Sequence, residues 1–198
     1  MDLDLKGKRA LVTGGTRGMG RAIAETLAGE GCNLSICARK EAEVAAAVES
    51  LQSKGVAAHG ATVDVTRDHD VKDWVERSAE QLGGLDIIVS NVGAMDLGTA
   101  RASWEKNFNL DVMGLVNLVE AGEPHLEAAA KEHGDASIVA ISSTAAAAIT
   151  NAQSYGAVKA ALIHYVKGLA KDFAPRKIRA NTVAPGMVYF EGGIWNRI

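Results

Sequence analysis

Proline is scarce in this chain, three residues in 198, and cysteine scarcer still, with two. A chain so poor in proline, with 47% of its residues hydrophobic, is neither low-complexity nor disordered. Cys32 and Cys37 stand an odd number of residues apart, which sets them on opposite faces of one strand and keeps them from bridging. They read as buried, reduced thiols. The histidines (His59, His69, His125, His133 and His164) show neither an HExxH motif nor paired-ligand spacing. No second Cys/His cluster completes four ligands, so no metal is expected. Positive charge is not in excess: 21 Lys plus Arg face 24 Asp plus Glu, a net charge of −3. That removes the electrostatic basis for a nucleic-acid partner. No uninterrupted apolar run nears the ~18 residues of a membrane span. The start, Met1-Asp2-Leu3-Asp4-Leu5-Lys6, is acidic where a secretory signal needs an apolar core. What remains is the expectation of a soluble, cytoplasmic domain with length enough for a sizeable core.

Short apolar runs alternate with longer helical patterns. The strands are expected at Arg9–Thr13, Asn33–Cys37, Ala57–Val63, Asp86–Ser90, Ser137–Ile141 and Ile178–Val183. Between them lie helical stretches at Gly18–Gly29, Glu41–Ser53, Asp68–Leu82, Ser103–His133 (with a break near Pro124) and Ser154–Phe173. In the second of these, Val44, Val48 and Leu51 fall on one face while Glu41, Glu43 and Glu49 lie elsewhere. Glycines at 31, 55, 83, 84 and 134 punctuate the joins. Such alternation predicts an α/β fold, a doubly wound parallel sheet with helices on both faces.

Three constellations carry chemistry. Thr13-Gly14-Gly15-Thr16-Arg17-Gly18-Met19-Gly20 follows the first strand and opens the first helix. Gly14 supplies the free φ of a tight turn, and Gly18 and Gly20 let a pyrophosphate approach the helix N-terminus. At the end of the second strand, an acid roughly 20 residues past the glycines would hold the ribose 2′-OH of NAD. The sequence there is Ala38-Arg39-Lys40. With Arg17, Arg39 offers a second guanidinium to a 2′-phosphate, so NADP is expected in preference to NAD. Third, Tyr155 and Lys159 lie on one face of a helix. A nearby ammonium favours a phenolate, which suits the phenol to pass a proton to or from a carbonyl or alcohol oxygen. Ser142-Ser143 ends the strand upstream, where a hydroxyl can hold the reacting oxygen.

With these motifs in order over essentially the whole length, the sequence resembles the short-chain dehydrogenase/reductase family. Within it, the sequence resembles the NADP-preferring, 3-oxoacyl-acyl-carrier-protein-reductase-like members. Asp64-Val65, Asn91-Val92-Gly93 and Asn181-Thr182-Val183-Ala184-Pro185-Gly186 add to the match. The resemblance implies a Rossmann-like sheet in the order 3-2-1-4-5-6. It implies that Tyr155 exchanges the substrate proton, that Lys159 favours the phenolate and holds the nicotinamide ribose, and that a serine orients the carbonyl. Asp64 and Val65 would contact the adenine. Asn91 and Gly93 would line the cofactor cleft beside Gly14, Thr16, Arg17, Gly18, Met19, Gly20 and Arg39, and Pro185, Gly186 and Val188 would seat the carboxamide. The partner is then a small carbonyl or alcohol substrate. The long helices at Ser103–Leu118 and Ser154–Phe173 would pair across a two-fold axis into a homodimer or homotetramer. Small residues (Ala157, Ala160, Ala161, Gly168) would allow close approach and Leu162, Val166 and Leu169 would interdigitate.

The sequence departs from the family's pattern at several points. Ser90-Asn91-Val92-Gly93 stands for the family's NNAG. Asp111 occupies the position of the family's catalytic Asn, counted from Trp104 to Gly114. A carboxylate lacks the amide's N–H donor, although its main-chain carbonyl can still hold a relay water. Strand register makes Ser143 the family's serine, whereas the count back from Tyr155 selects Ser142. A one-residue deletion in the Thr144–Ser154 loop reconciles the two in favour of Ser143. Phe190 stands where a phosphate-contacting Thr is common. The family's C-terminal substrate helices and seventh strand have no counterpart, being either absent or beyond Ile198, so residues 1–198 are expected to form a single dinucleotide-binding domain. Met95, Leu97, Ala145–Ile149, Met187 and Trp195 suggest an apolar substrate site. Two functions follow: a reductase or dehydrogenase, favoured by the intact Tyr155/Lys159 pair, or a catalytically weak nucleotide-binding sensor or scaffold, favoured by Asp111. A nucleotide-sugar epimerase is disfavoured, since those relatives have different glycine spacing and a longer chain.

Overall fold

The computed structural model describes residues 3–148, 152–191 and 193. In chain order the elements are β1 (Arg9–Thr13), α1 (Gly18–Gly29), β2 (Asn33–Ala38), α2 (Glu41–Gln52), β3 (Ala58–Thr62) and α3 (Asp68–Leu82). Then come β4 (Ile87–Ser90), α4 (Arg101–Asn107), α5 (Gly114–His133), β5 (Ala136–Ile141), α6 (Ser154–Phe173) and β6 (Ile178–Val183). The strands pair in the order β3-β2-β1-β4-β5-β6, all parallel, as expected of a Rossmann-like doubly wound sheet. For the four central strands the apolar runs are the reason, since a strand buried on both sides needs no polar face; the edge strands β3 and β6 interleave exposed residues with more buried ones. Ala10 and Val12 turn to the side covered by α1 and α2, with Ala24, Ala47 and Leu51. Leu11 turns the other way, toward α3, α5 and α6, with Trp74, Leu115 and Leu162. Gly83 and Gly134 close α3 and α5 in the left-handed conformation, at φ 76° and 81°.

The expected break near Pro124 does not occur. α5 runs through it from Gly114 to His133. Pro124 lies on the solvent face, and so does Glu120, four residues earlier, whose carbonyl water can satisfy in place of the missing N–H. The interruption comes instead at Phe108–Met113, a π-helical segment joining α4 to α5. The helix also begins earlier than expected, at Arg101 rather than Ser103. A second correction concerns α6. Leu162, Val166 and Leu169 are buried in the chain's own core, so they are not available to interdigitate with a partner helix. The exposed face of α6 carries Ala157, Ala161, Ile163 and Gly168, and α4 with the π segment exposes Trp104 and Phe108.

Both cysteines are free and buried, as expected. Burial pushes the Cys32 thiol up to about 11 and the Cys37 thiol up to about 12, so neither is a thiolate at neutral pH. Among the described residues no cluster of His, Cys, Asp or Glu could hold a metal, and no helix is long and apolar enough to cross a membrane.

Candidate active site

The carboxyl ends of β1, β2, β4 and β5 meet the amino ends of α1 and α6, the usual place for a ligand in an open α/β sheet. Gly14 and Gly18 adopt positive φ, 67° and 54°, which only glycine takes without strain. A Cβ at Gly20 would collide with the Gly14 carbonyl and the Asn91 amide, so α1 can start this close to the turn only without a side chain there. Gly14 N–H donates to the Cys37 carbonyl at 2.8 Å, anchoring the turn on β2. The cap residue of α1, Arg17, is extended and its side chain makes no capping bond. A helix start its own cap residue leaves uncapped suits a phosphate. The ring of Phe190 lies against Gly18 on the same turn.

Asn91 lies beside the cleft, but its side chain braces the scaffold. Its Nδ2 donates to the Thr13 carbonyl at 3.0 Å, and its N–H donates to Thr13 Oγ1 at 2.9 Å, tying β4 to β1. Asp64 is likewise engaged locally, accepting from Thr66 N (3.0 Å) and Thr66 Oγ1 (2.8 Å). Burial opposes its charge, but those bonds and the Arg39 and Arg67 charges hold its carboxyl below the usual range. Val65 is buried against Gly114, and its carbonyl accepts from Asn117. Arg17 and Arg39 are exposed, while Thr16 and Met19 are half-buried. Beside them stands Glu43, which sequence reasoning placed only on the polar face of a helix. It accepts from Lys40 Nζ at 2.6 Å and from Thr16 Oγ1 at 3.4 Å. Its spacing of three from Lys40 was the available signal.

Tyr155 and Lys159 stand one turn apart on α6, with Nζ 5.8 Å from the phenol ring centre. Lys159 is buried at 4% exposure and donates to the Ile141 carbonyl at 2.8 Å. Its charge is met by Asp111 of the π segment, with Oδ1 2.7 Å from Nζ. The other carboxylate oxygen accepts the Ala94 N–H at 2.9 Å. The Oδ1–Nζ contact is an ion pair without hydrogen-bond alignment, and among the described residues Oδ1 has no other partner. Gly93 faces the pair: a Cβ there would lie 2.8 Å from Oδ1 and 3.2 Å from Nζ. The bare glycine and the under-satisfied oxygen leave a polar cradle that fits the ribose hydroxyls of a nicotinamide nucleotide.

The two serines differ. Ser142 is buried, and its hydroxyl donates to the Lys159 carbonyl at 2.9 Å, so it is committed to holding α6. Ser143 is half-buried and accepts the Ala145 N–H at 3.1 Å, leaving its own proton available. Thr144 N–H donates to the Pro185 carbonyl at 3.0 Å, which brings Pro185 and the exposed Gly186 beside the serines, with Val188 half-buried beyond. Met95, Leu97 and Met187 are accessible, whereas Ile149 and Trp195 lie outside the described residues. The sequence reading left Asn107 without a role. It is fully buried, and its Nδ2 donates to the Asp96 carbonyl (2.7 Å) and Ser154 Oγ (2.8 Å). Its Oδ1 accepts the Asp96 N–H at 3.1 Å. Asn107 thereby ties the loop after β4 to the residue preceding Tyr155.

Fold and site together define a dinucleotide-binding oxidoreductase. Residues 8–192 match the model of the short chain dehydrogenase family, and the chain belongs to that family, whose members act on CH–OH and C=O groups. It is 38% identical over 196 residues to an isoepoxydon dehydrogenase of Penicillium expansum, covering 96% of this chain and 74% of the relative. It is 34% identical over 194 residues to a 3-oxoacyl-acyl-carrier-protein reductase of Aquifex aeolicus, covering 95% and 77%. A short chain dehydrogenase from Burkholderia cenocepacia, solved in complex with NADP, superposes with a TM-score of 0.84 at 36% identity, covering 92% of this chain and 75% of that one. Structural neighbours solved in complex with NAD are also found.

Proposed function

We propose that this chain is an NADP-preferring carbonyl reductase or alcohol dehydrogenase, with Tyr155 as its proton donor and acceptor. The observation that carries the reading is the alignment of the accessible Tyr155 with Lys159, whose buried ammonium is fixed between the Ile141 carbonyl and Asp111. The phenol and the ammonium face the same side of the cleft, where the phenol can give a proton to, or take one from, a substrate oxygen. When bound, the nicotinamide supplies or accepts the hydride. The residues do the rest. Ser143 donates to the substrate oxygen, Tyr155 gives or takes its proton, and Lys159 holds the ribose hydroxyls. Asp111 fixes Lys159, and its main-chain carbonyl would hold a relay water. Gly14, Gly18, Met19 and Gly20 receive the pyrophosphate, and Asp64 and Val65 border the adenine. Asn91 and Gly93 shape the cleft, while Pro185, Gly186 and Val188 border the carboxamide.

Preference for NADP rests on Arg17 and Arg39 with Ala38, in place of an acid, at the end of β2. We read residues 1–198 as one dinucleotide-binding domain, cytoplasmic, acting on a small molecule rather than on nucleic acid or membrane. The exposed Trp104, Phe108 and Ile163, together with the small residues on the outer face of α6, support a homodimer or homotetramer through these helices. Light scattering at micromolar concentration checks the assembly, and a 20.7 kDa monomer rejects it. The enzymatic reading is tested by following NADPH absorbance with a panel of ketones and aldehydes. Oxidation dependent on Tyr155 supports it. Binding of NADPH without turnover of any carbonyl points to the second reading, a nucleotide-binding sensor or scaffold, which the aspartate at 111 in place of the family's Asn favours.

A further inference from the structure

Three cations stand around the carboxyl end of β2 and the glycine turn: Arg17, Arg39 and Lys40. This is where the 2′ position of an adenosine ribose is read, by an acid for the hydroxyl or by cations for a phosphate. Only part of that positive charge is free. Lys40 Nζ lies 2.6 Å from Glu43 Oε1. The other oxygen of the same carboxylate, Oε2, accepts from Thr16 Oγ1 at 3.4 Å, across 27 positions of sequence. The hydrogen bond from Lys40, with the charges of Lys40 and Arg17, holds the Glu43 carboxyl below the usual range despite some desolvation, so it is ionised at neutral pH. An acid in the first turn of a helix ordinarily serves the helix dipole, and Glu41 shares that turn. The dipole does not account for a contact to the glycine turn on another element. Glu43 joins the two segments that would flank the ribose and already occupies their donors.

We propose that Glu43 is a further specificity-determining residue of the cofactor site, acting as an internal counter-ion that restrains binding of a 2′-phosphorylated adenosine ribose. A dianionic phosphate must compete with Glu43 for Lys40 and Thr16 and must approach a like charge. A 2′-hydroxyl does neither. The arginines favour NADP, Glu43 limits how far, and NAD is left within reach. The inference rests on the NADP-preferring reading and sharpens it to one carboxylate.

Calorimetric titration of the full chain with 2′,5′-ADP and with 5′-AMP isolates the phosphate at issue. Glu43→Gln keeps the side chain's size and is expected to tighten 2′,5′-ADP about fivefold while moving 5′-AMP less than about twofold. The gain should shrink in about 0.5 M salt, since the charges are exposed. Lys40→Gln, which leaves Glu43 in place, should cost 2′,5′-ADP little in the wild-type background and distinctly more in the Glu43→Gln background. An unchanged 2′,5′-ADP affinity in Glu43→Gln overturns the proposal, and so does an equal shift for both ligands. An identical cost of Lys40→Gln in both backgrounds overturns it as well. Equal wild-type affinities for the two ligands would instead remove the NADP preference. In that case Glu43 still stands if its Gln variant separates them.

Discussion

At the amino ends of the strands Asp86 is 2% exposed, and it accepts from Arg9 N (2.9 Å), Arg9 Nε (2.7 Å) and Arg9 Nη2 (3.0 Å). At the carboxyl ends Asp111 is 1% exposed, yet it accepts one backbone N–H and leaves Oδ1 facing Lys159 without hydrogen-bond alignment. Both are buried carboxylates paired with a cation, and their surroundings differ in what is left over. Arg9 also donates to the Gly83 carbonyl, so that end of the sheet closes on itself. A shallow cleft lined by Lys6, Lys8, Glu132 and His133 opens there, but its most buried charges are spent on each other. Around Asp111 the bare Gly93 holds space open and the polar capacity is unspent. A saturated buried pair stabilises the fold, whereas an under-satisfied one marks where a ligand or a reaction is to be served.

The largest effect should come from the carboxyl end. Tyr155→Phe is expected to lower turnover about 10³-fold while leaving the NADPH dissociation constant nearly unchanged, because only the proton-transfer group is lost. Near-normal kcat in that variant would break the contrast at its functional end. At the other end, Asp86→Ala should cost about 3 kcal/mol of stability by removing the buried acceptor of three Arg9 hydrogen bonds and stranding a half-buried guanidinium. For a chain of this size that lowers Tm by about 8 °C, measurable by calorimetry. Activity per folded molecule should be untouched.

The same carboxylate sets an acid limit. Burial opposes the Asp86 charge, but the Arg9 hydrogen bonds and the charges of Arg9 and Lys8 outweigh it and hold its carboxyl below the ordinary range. The native state therefore binds this proton less readily than the unfolded chain. The stabilisation is complete above about pH 4 and drains away as the pH falls through the lowered native value. In the Asp86→Ala variant that part of the acid dependence should vanish. Next in size, Arg39→Ala should erase most of the preference for NADPH over NADH, a loss worth roughly 1.5–3 kcal/mol in the ratio of dissociation constants. The smallest effect sharpens the comparison most. Asp111→Asn removes the charge but keeps the backbone carbonyl, so kcat should be preserved or raised. A loss beyond tenfold, roughly 1.4 kcal/mol of barrier, would give the carboxylate a dedicated role.

Much of this was legible in sequence because buried parallel strands advertise themselves. Val12 and Ile88 sit in unbroken apolar runs, and the glycines of the first turn mark where a side chain cannot fit. Tyr155 and Lys159 are readable because helical spacing alone aligns them. What escaped notice depends on contacts between distant elements. Leu162 and Val166 look equally apolar whether they face a partner or their own sheet, and only the placement of α6 decides. Asn107 lies amid polar neighbours, and nothing local shows that its amide reaches Asp96 and Ser154. Pro124 signals a break that solvent exposure cancels, while the true irregularity at Phe108–Met113 has no compositional signature.

That π-helical segment makes the site sensitive to length as well as to identity. It carries its turn on one residue more than an α-helix needs. Deleting a residue between 108 and 113 would restore regular α-helical bonding and cost the helix itself little. The same deletion would rotate everything upstream by about 100° relative to α5. Asn107 and Asp111, which brace the loop after β4 at Asp96 and Ala94, could then no longer both reach it. A chain shortened there would keep its sheet and its glycine turn and lose the Asp111 charge that faces Lys159. In this helix, then, the surplus residue sets which side chains reach the loop after β4, and its removal would change the site without breaking the helix.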